Sequence, residues 1–321
     1  MPKPGRGRWP LAVLVVVVIA LGVAAGLVWQ RPWEGPAPPP PEAVGPSPPR
    51  LAAVTASPAT ILASRGTALT VFSIDMNPSI YVFDFPTLSQ QGEMLNRIAA
   101  LVEKAGLPRD RVLDDAALAA AIAAAGETVE TFYYGHNYRA SHLVRFFTLA
   151  ASQGVTLNAE ERRLAAILAD LGAVALGADG LPRLVREAAI ITVPGLHAAD
   201  PARGRHLEVD EAVRGVILRH ELSHGEFFTN NAYAAHVKTW WNERLSARER
   251  TQLRRFLAEG GYDPDNEEVM MNEAMAYIVH TPDERFFSAA SVGMDQATLD
   301  RLRARFKEGL PETWLSHVTW P

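Results

Sequence analysis

Cysteine is absent from the 321-residue chain. Its absence excludes disulfide bonds, thiolate nucleophiles and cysteine-ligated zinc sites together, and it leaves the redox compartment open. Blocks of basic residues are missing as well, because 31 Lys and Arg are scattered among 36 Asp and Glu, with a net charge of −5. Nucleic-acid binding needs a basic surface that neutralises phosphates, so we expect no nucleic-acid partner.

The N-terminal region lacks the composition of a globular domain. Basic residues precede an unbroken apolar run at positions 11–28, which Trp9 and Trp29 flank. A run of this length can cross a bilayer, tryptophan favours the membrane interfaces, and the basic residues mark the cytoplasmic side. We therefore expect a cytoplasmic stub at residues 1–8 and a signal anchor at residues 9–29. The protein would then be single-pass in the inner membrane, with the rest of the chain in the periplasm or otherwise extracytoplasmic.

A spacer follows the predicted anchor. The small residues at positions 23–25 leave cleavage as the alternative, but a cleaved signal usually has a shorter apolar core of about 7–15 residues. Positions 32–58 contain ten prolines, and such a composition favours extended polyproline II. We therefore expect a semi-rigid linker at residues 30–59 and one globular domain at residues 60–321.

The globular part combines a few strand signals with many helix signals. Positions 67–74 and 79–85 are rich in β-branched and aromatic residues on either side of Asn77-Pro78, and positions 188–194 predict another strand. Helix starts are marked by capping residues: Asp114, Asn158 with Glu161, and Ser246 with Glu249. The sequence therefore predicts an α+β fold that is mostly helical, with a small mixed sheet.

Positions 220–224 read His-Glu-Leu-Ser-His, at the end of an apolar run that predicts a helix. On a helix, His220 and His224 lie on one face, one turn apart, and two converging imidazoles suit Zn²⁺. Glu221 is rotated off that line, where it can act as general base on a metal-bound water. The alternative is a surface helix that carries two histidines by chance.

Two histidines need a third protein ligand to hold zinc. A third histidine with H-E-x-x-H-x-x-G-x-x-H spacing would fall at position 230, which is Asn230. Glu273 is the strongest candidate, because it lies in an apolar helical segment where an unpaired carboxylate is costly. A partly buried ion pair between Glu273 and an arginine is the alternative. Other downstream candidates for the third ligand are Glu226, Glu267, Glu268, His236 and His280.

Two motifs together resemble the gluzincin branch of the zincin metallopeptidase superfamily. They are the histidine pair at positions 220–224 and the Asn-Glu-x-x-Ala-Tyr segment at positions 272–277. The resemblance implies a zincin-like domain with Zn²⁺ on His220, His224 and Glu273, and with the adjacent Glu221 as general base. The chain departs from the pattern in its long interval between the motifs. It also carries Glu226 where the group has an apolar residue and Tyr277 where thermolysin-like members have aspartate.

The same resemblance implies a Tyr or His that steadies an oxyanion. Positions 133–138 hold three tyrosines and one histidine around a glycine, and phenol and imidazole are suitable donors. From this segment we single out Tyr138 and His136 as catalytic candidates, with an aromatic corner of the core as the alternative. Further candidates are Tyr233, His236, Tyr277 and His280.

The expected function is zinc-dependent hydrolysis of a peptide or protein substrate outside the cytoplasm. The predicted strand at positions 188–194 either offers its edge to an extended peptide or lies buried in the centre of the sheet. Two other functions are compatible with the same motifs. One is a non-catalytic envelope protein with a closed, structural zinc site, and the other is a zinc hydrolase that cleaves a cell-wall amide.

Overall fold

The computed structural model of the protein describes residues 51–200 and 208–320. The strands in these residues are β1 (Val54–Ala56), β2 (Thr70–Ile74), β3 (Asn77–Phe85), β4 (Asn137–Arg139), β5 (Val174–Leu176), β6 (Pro182–Leu184) and β7 (Ala189–Pro194). The α-helices are α1 (Pro58–Ala63), α2 (Leu88–Val102), α3 (Asp115–Ala124), α4 (Ala140–Ser152), α5 (Ala159–Asp170), α6 (Glu211–Thr229), α7 (Asn231–Thr239), α8 (Ala247–Glu259), α9 (Glu267–Met275) and α10 (Gln296–Lys307).

Short helical turns complete the description. Trp240–Arg244 and Ala276–His280 are π-helical, and Ala290–Val292 and Trp314–His317 are 3₁₀-helical. The predicted α+β class, mostly helical with a small mixed sheet, is confirmed. Within the described ranges no helix is long and apolar enough to cross a membrane. The predicted anchor at residues 9–29 lies outside those ranges.

The main sheet has the strand order β1-β2-β3-β7-β4. β1 is parallel to β2 and β3 is parallel to β7, whereas the other two pairs are antiparallel. β7 lies between β3 and β4. It is therefore a buried central strand and not an edge strand to which a peptide could add. β4 occupies the outer position next to β7. Sequence reasoning missed β4 because three residues are too few to show an alternating pattern.

Helices cover both faces of this sheet. Apolar side chains of α2, α4 and α5 pack on one face, and those of α6 and the helices that follow it pack on the other. Alternate residues of β7 contribute to the two cores, with Ile191 on the α6 side and Ile190 on the α2 side. Because both faces are covered, this strand is apolar throughout instead of alternating with polar residues.

Local capping signals placed three helix starts correctly. Asp114 caps α3, and Asn158 and Ser246 form complete capping boxes at the starts of α5 and α8. The turn between β2 and β3 is shifted from its predicted place. It falls at residues 75–76, and Asn77-Pro78 begins β3 instead of separating the two strands. Pro78 is tolerated there because it falls at a shift in register and pairs with no residue of β2 or β7, so it need not donate to the ladder.

The folded part begins earlier than the predicted boundary at residue 60. β1 pairs with β2, and α1 follows it inside the segment interpreted as linker. The Ser57 side chain accepts a hydrogen bond from the Thr60 amide, and Pro58 occupies the first turn of α1. Proline in that position stabilises a helix start, so one of the ten prolines was a helix signal and not a linker signal.

Candidate metal centre

α6 carries the histidine pair and is held firmly against the sheet. Asp210 caps its first turn by accepting from the Val213 amide at 2.7 Å. Arg214 is buried, forms a 2.9 Å ion pair with Asp84 of β3, and donates to the Ile61 carbonyl of α1. These contacts orient the helix so that its second half lies buried between β7 and α9, where a charged or polar side chain needs a partner.

The three predicted ligands converge. His220 Nε2 lies 3.4 Å from Glu273 Oε2, and His224 Nε2 lies 3.4 Å from Glu273 Oε1. All three residues are buried, and one ligand atom from each lies within 4.8 Å of the others. Bonds of about 2.0–2.2 Å in a tetrahedral zinc site put neighbouring ligand atoms roughly 3.4 Å apart, so the spacing fits Zn²⁺.

Unpaired polar atoms at the same point support this fit. His224 Nε2 and Glu273 Oε2 are buried, and neither has a hydrogen-bond partner in the described part of the chain. Buried polar atoms are nearly always satisfied, so two unpaired polar atoms in one buried cluster call for an explanation. A cation between them would satisfy both.

Thr281 sets the orientation of His220. Its Oγ1 lies 2.9 Å from His220 Nδ1 and donates to the Ala276 carbonyl at 3.0 Å. Because the hydroxyl proton is used by the carbonyl, the oxygen accepts from Nδ1–H, which leaves the Nε2 lone pair directed toward Glu273. A partner of this kind on the outer nitrogen is usual for metal-binding histidines. Thr281 directly follows the π-helical turn Ala276–His280, and such turns are frequent at functional sites.

The charge states of the cluster also suit a metal. Burial opposes ionisation of Glu273, but His224 and His220 outweigh it, so the pKa of Glu273 is lowered. Burial lowers the pKa of His224 to about 4, so its imidazole is neutral near pH 7. Zinc binds a carboxylate and neutral imidazoles. The alternative of an arginine partner for Glu273 fails, since no arginine of the described residues forms an ion pair with it.

Glu221 lies beside the ligands and faces a cavity of about 230 Å³ that His220 also lines. Asn137 of β4 donates from Nδ2 to Glu221 Oε2 at 3.2 Å. A Cβ atom built on Gly135 would overlap Glu221 Oε1, so only glycine leaves room for this carboxylate. Burial and the nearby Glu273 raise the pKa of Glu221 well above its usual value, and Asn137 acts in the opposite direction.

Tyr138 and His136, predicted as catalytic, do not line the cavity. Both are fully buried, with His136 Nδ1 3.0 Å from the Tyr138 hydroxyl, which donates to Glu103 Oε1 at 3.1 Å. The cause is strand geometry, because successive side chains of β4 point to opposite faces. Asn137 points to Glu221, so the residues on either side of it point away, and Tyr138 packs in the core on the α2 side.

Because Tyr138 and His136 do not line the cavity, Tyr133 becomes the candidate hydrogen-bond donor from this segment. It lines the cavity together with Tyr262 and Tyr277, and its buried hydroxyl has no hydrogen-bond partner in the described ranges. It belongs to the aromatic segment singled out from the sequence. The two-residue period of a strand, applied to that segment, predicts that Asn137 points to the opposite face from the residues on either side of it. It does not identify Tyr133 as the residue that lines the cavity.

The other candidates for the third ligand have partners elsewhere. Glu226 accepts four hydrogen bonds from neutral side chains. His236 Nε2 lies 2.6 Å from the Phe306 carbonyl, and His280 Nε2 lies 3.0 Å from the Tyr233 hydroxyl. The remaining two acids form ion pairs with arginines: Glu267 and Glu268.

No protein-family model, curated protein or solved structure matches this chain. The gluzincin resemblance therefore depends on the two motifs alone and stays a prediction. The long interval between those motifs contains α7, the π-helical turn Trp240–Arg244 and α8. The function of the protein has to be inferred from the chemistry of the site.

Proposed function

We propose that the chain is a zinc-dependent peptidase of gluzincin type, anchored in the inner membrane by residues 9–29 and hydrolysing peptide bonds outside the cytoplasm. One observation carries the proposal. His220, His224 and Glu273 converge with the spacing of zinc ligands, and Glu221 faces the cavity beside them. Zinc in such a ligand set lowers the pKa of water and polarises a substrate carbonyl.

Glu221 is the proton carrier in this proposal. Its Oε1 atom, opposite Gly135, takes a proton from the attacking water and passes it to the amine that leaves. Asn137 holds Oε2 by a 3.2 Å hydrogen bond, which keeps the carboxylate from rotating. The raised pKa of Glu221 supports this role, because a base works best when its pKa lies near the working pH.

Tyr133 is proposed as the donor to the oxyanion. Tyr133 lines the cavity, and a buried hydroxyl without a partner among the described residues costs free energy in the resting protein. That hydroxyl gains a partner when negative charge develops on the carbonyl oxygen, so it favours the transition state over the ground state. The segment containing Tyr133 and Gly135 runs into β4, the outer strand of the described sheet.

The cavity also supports catalysis over a structural zinc role. Structural zinc sites are closed by four protein ligands, whereas three protein ligands and a neighbouring cavity are typical of catalytic sites. Among the described residues, three side chains form the candidate ligand group. A hydrolase acting on a cell-wall amide would use the same groups, so paired peptide and cell-wall substrates have to be compared directly.

The test is glutamine substitution at two glutamates. Glu221→Gln keeps shape and hydrogen bonding but cannot take a proton, so we expect hydrolysis to fall by about 10²–10⁴ with zinc content unchanged. Glu273→Gln replaces an anionic ligand with a neutral amide, so we expect zinc to be lost in elemental analysis. Loss of zinc from Glu221→Gln, with Glu273→Gln still loaded and active, would contradict both roles.

A further inference from the structure

Lys104 brings a positive charge into the cavity that contains Glu221 and His220. Its Nζ atom lies 4.3 Å from the ring centroid of Phe132 and 4.6 Å from that of Tyr133. Aromatic faces attract a cation, but they do not neutralise its charge. No salt bridge in the described part of the chain includes Lys104.

The backbone fixes Lys104 relative to the metal ligands. It forms an antiparallel bridge with Tyr262, which lines the same cavity as Glu221 and His220. Arg109 clamps the same place, since its Nη2 donates to the Lys104 carbonyl at 2.6 Å and to Asp263 Oδ2 at 2.9 Å. The backbone of Lys104 is therefore fixed, and the rings of Phe132 and Tyr133 contact its ammonium group at the end of the side chain.

Two acids lie near Lys104 without pairing with it. Glu127 also lines the cavity, but its Oε2 accepts from the Thr131 hydroxyl, and Glu103 accepts from Tyr138. Burial lowers the pKa of Lys104, while Glu127 and Glu103 raise it, and the burial effect is the larger. A partly desolvated ammonium without a direct partner gains most from an anion supplied by a ligand.

We propose that Lys104 selects peptides that place a carboxylate in the cavity, close to the bond that is cut. The inference rests on the proposed peptidase function and adds the substrate class to it. Because Nζ lies 4.6 Å from the Tyr133 ring, the cation is within about two extended residues, roughly 7 Å, of the Tyr133 hydroxyl. The carboxylate comes either from an acidic side chain next to the scissile bond or from a nearby C-terminus.

Four matched peptides distinguish these two sources. They carry either Glu or Gln next to the scissile bond, and each is made with a free or an amidated C-terminus. For the zinc-loaded full chain we expect kcat/KM to be about 10- to 100-fold higher for the peptides with the effective carboxylate, as for a charged hydrogen bond. If Lys104 binds the side-chain carboxylate, kcat/KM differs between the Glu and Gln peptides. If it binds the C-terminal carboxylate, kcat/KM differs between the free and amidated peptides.

Lys104→Met keeps the aliphatic stem and removes the charge. We expect it to abolish the preference, so that the ratio of kcat/KM between the matched peptides falls to about one. Lys238→Met makes the same change at an exposed lysine of α7 and should retain the full preference. Equal cleavage of all four peptides by the native chain would overturn the inference, and so would a preference that survives in Lys104→Met.

A binding measurement separates this inference from the proposed function. Fluorescence anisotropy of the same four peptides, labelled and mixed with zinc-loaded Glu221→Gln, reports carboxylate selection without turnover. Selective binding that depends on Lys104, together with no hydrolysis by the native chain, would refute the peptidase and retain the carboxylate site. Hydrolysis by the native chain without selective binding would retain the peptidase and refute the carboxylate site.

Discussion

Two buried glutamates of α6 lie five residues apart and have opposite surroundings. Glu226 is 1% exposed and accepts four hydrogen bonds, all from uncharged side chains: Asn77, Asn230, Thr313 and Trp314. Glu221 is 5% exposed and accepts a single side-chain hydrogen bond, from Asn137, within the described residues. Both oxygens of Glu226 accept hydrogen bonds, whereas Glu221 accepts its side-chain hydrogen bond on Oε2 alone.

The difference separates a structural glutamate from the glutamate proposed as general base, on one helix. The donors to Glu226 come from β3, from the end of α6 and from the C-terminal 3₁₀ turn Trp314–His317, so this carboxylate joins three distant parts of the chain. A buried charge of this kind stabilises only if its lone pairs are satisfied. Glu221 lacks that satisfaction and faces a cavity instead, which suits a group that must accept a proton.

The same substitution at the two glutamates gives the largest expected contrast. Glu226→Gln leaves buried donors without an acceptor, so we expect the free energy of unfolding to fall by about 2–4 kcal/mol, with zinc content and kcat/KM of the folded protein unchanged. Glu221→Gln should instead retain the native stability and lose activity. Urea unfolding with zinc analysis of both variants measures the contrast. Loss of zinc without loss of stability in Glu226→Gln would place Glu226 at the metal.

A smaller effect is expected from crowding Glu221 without changing it. Gly135→Ala puts a methyl group where Glu221 Oε1 lies, so the carboxylate has to move. A displacement near 1 Å can cost about 10² in rate, and we expect kcat/KM to fall by that order with zinc retained. Gly66→Ala is the control, because its new Cβ meets nothing closer than 3.3 Å, in the loop before β2. Equal activity in both variants would contradict the assigned position of Glu221.

The smallest effect concerns the partner of His220. Thr281→Val is nearly isosteric but removes the oxygen that accepts from His220 Nδ1. Outer partners of metal-binding histidines are typically worth about 10–100-fold in metal affinity, so we expect zinc affinity to weaken by that factor. Competition with a chelator of known affinity measures it. An unchanged zinc affinity would mean that Thr281 does not orient the ring.

Predictions made from short windows of sequence held where the physics is local. The capping boxes at Asn158 and Ser246 were found at the predicted residues, because a cap depends on hydrogen bonds between residues three positions apart. The i, i+4 spacing of His220 and His224 likewise follows from helix geometry alone. The α1 helix was missed since its first-turn Pro58 also fits a proline-rich linker.

Side-chain direction in β4 could not be predicted in the same way. Tyr138 and His136 have suitable chemistry, but a three-residue strand shows its facing only after it pairs with β7. That pairing joins Asn137 to Ile191, far along the chain, and it turns Asn137 toward α6. Strand register therefore decides which side chains of β4 face the core and which face α6. A three-residue pattern does not contain that register.

The sequence by itself determined the α+β class, three of the helix starts and the two histidines with their adjacent glutamate, because each depends on residues within a few positions of one another. Only the tertiary structure brought Glu273 to the histidines, Thr281 to the outer nitrogen of His220, and Lys104 into the same cavity. These contacts join residues many positions apart, and they form because α6 and α9 bury their apolar sides on one face of the sheet. The positions of the ligands are thus a product of packing in the core, which no local pattern encodes.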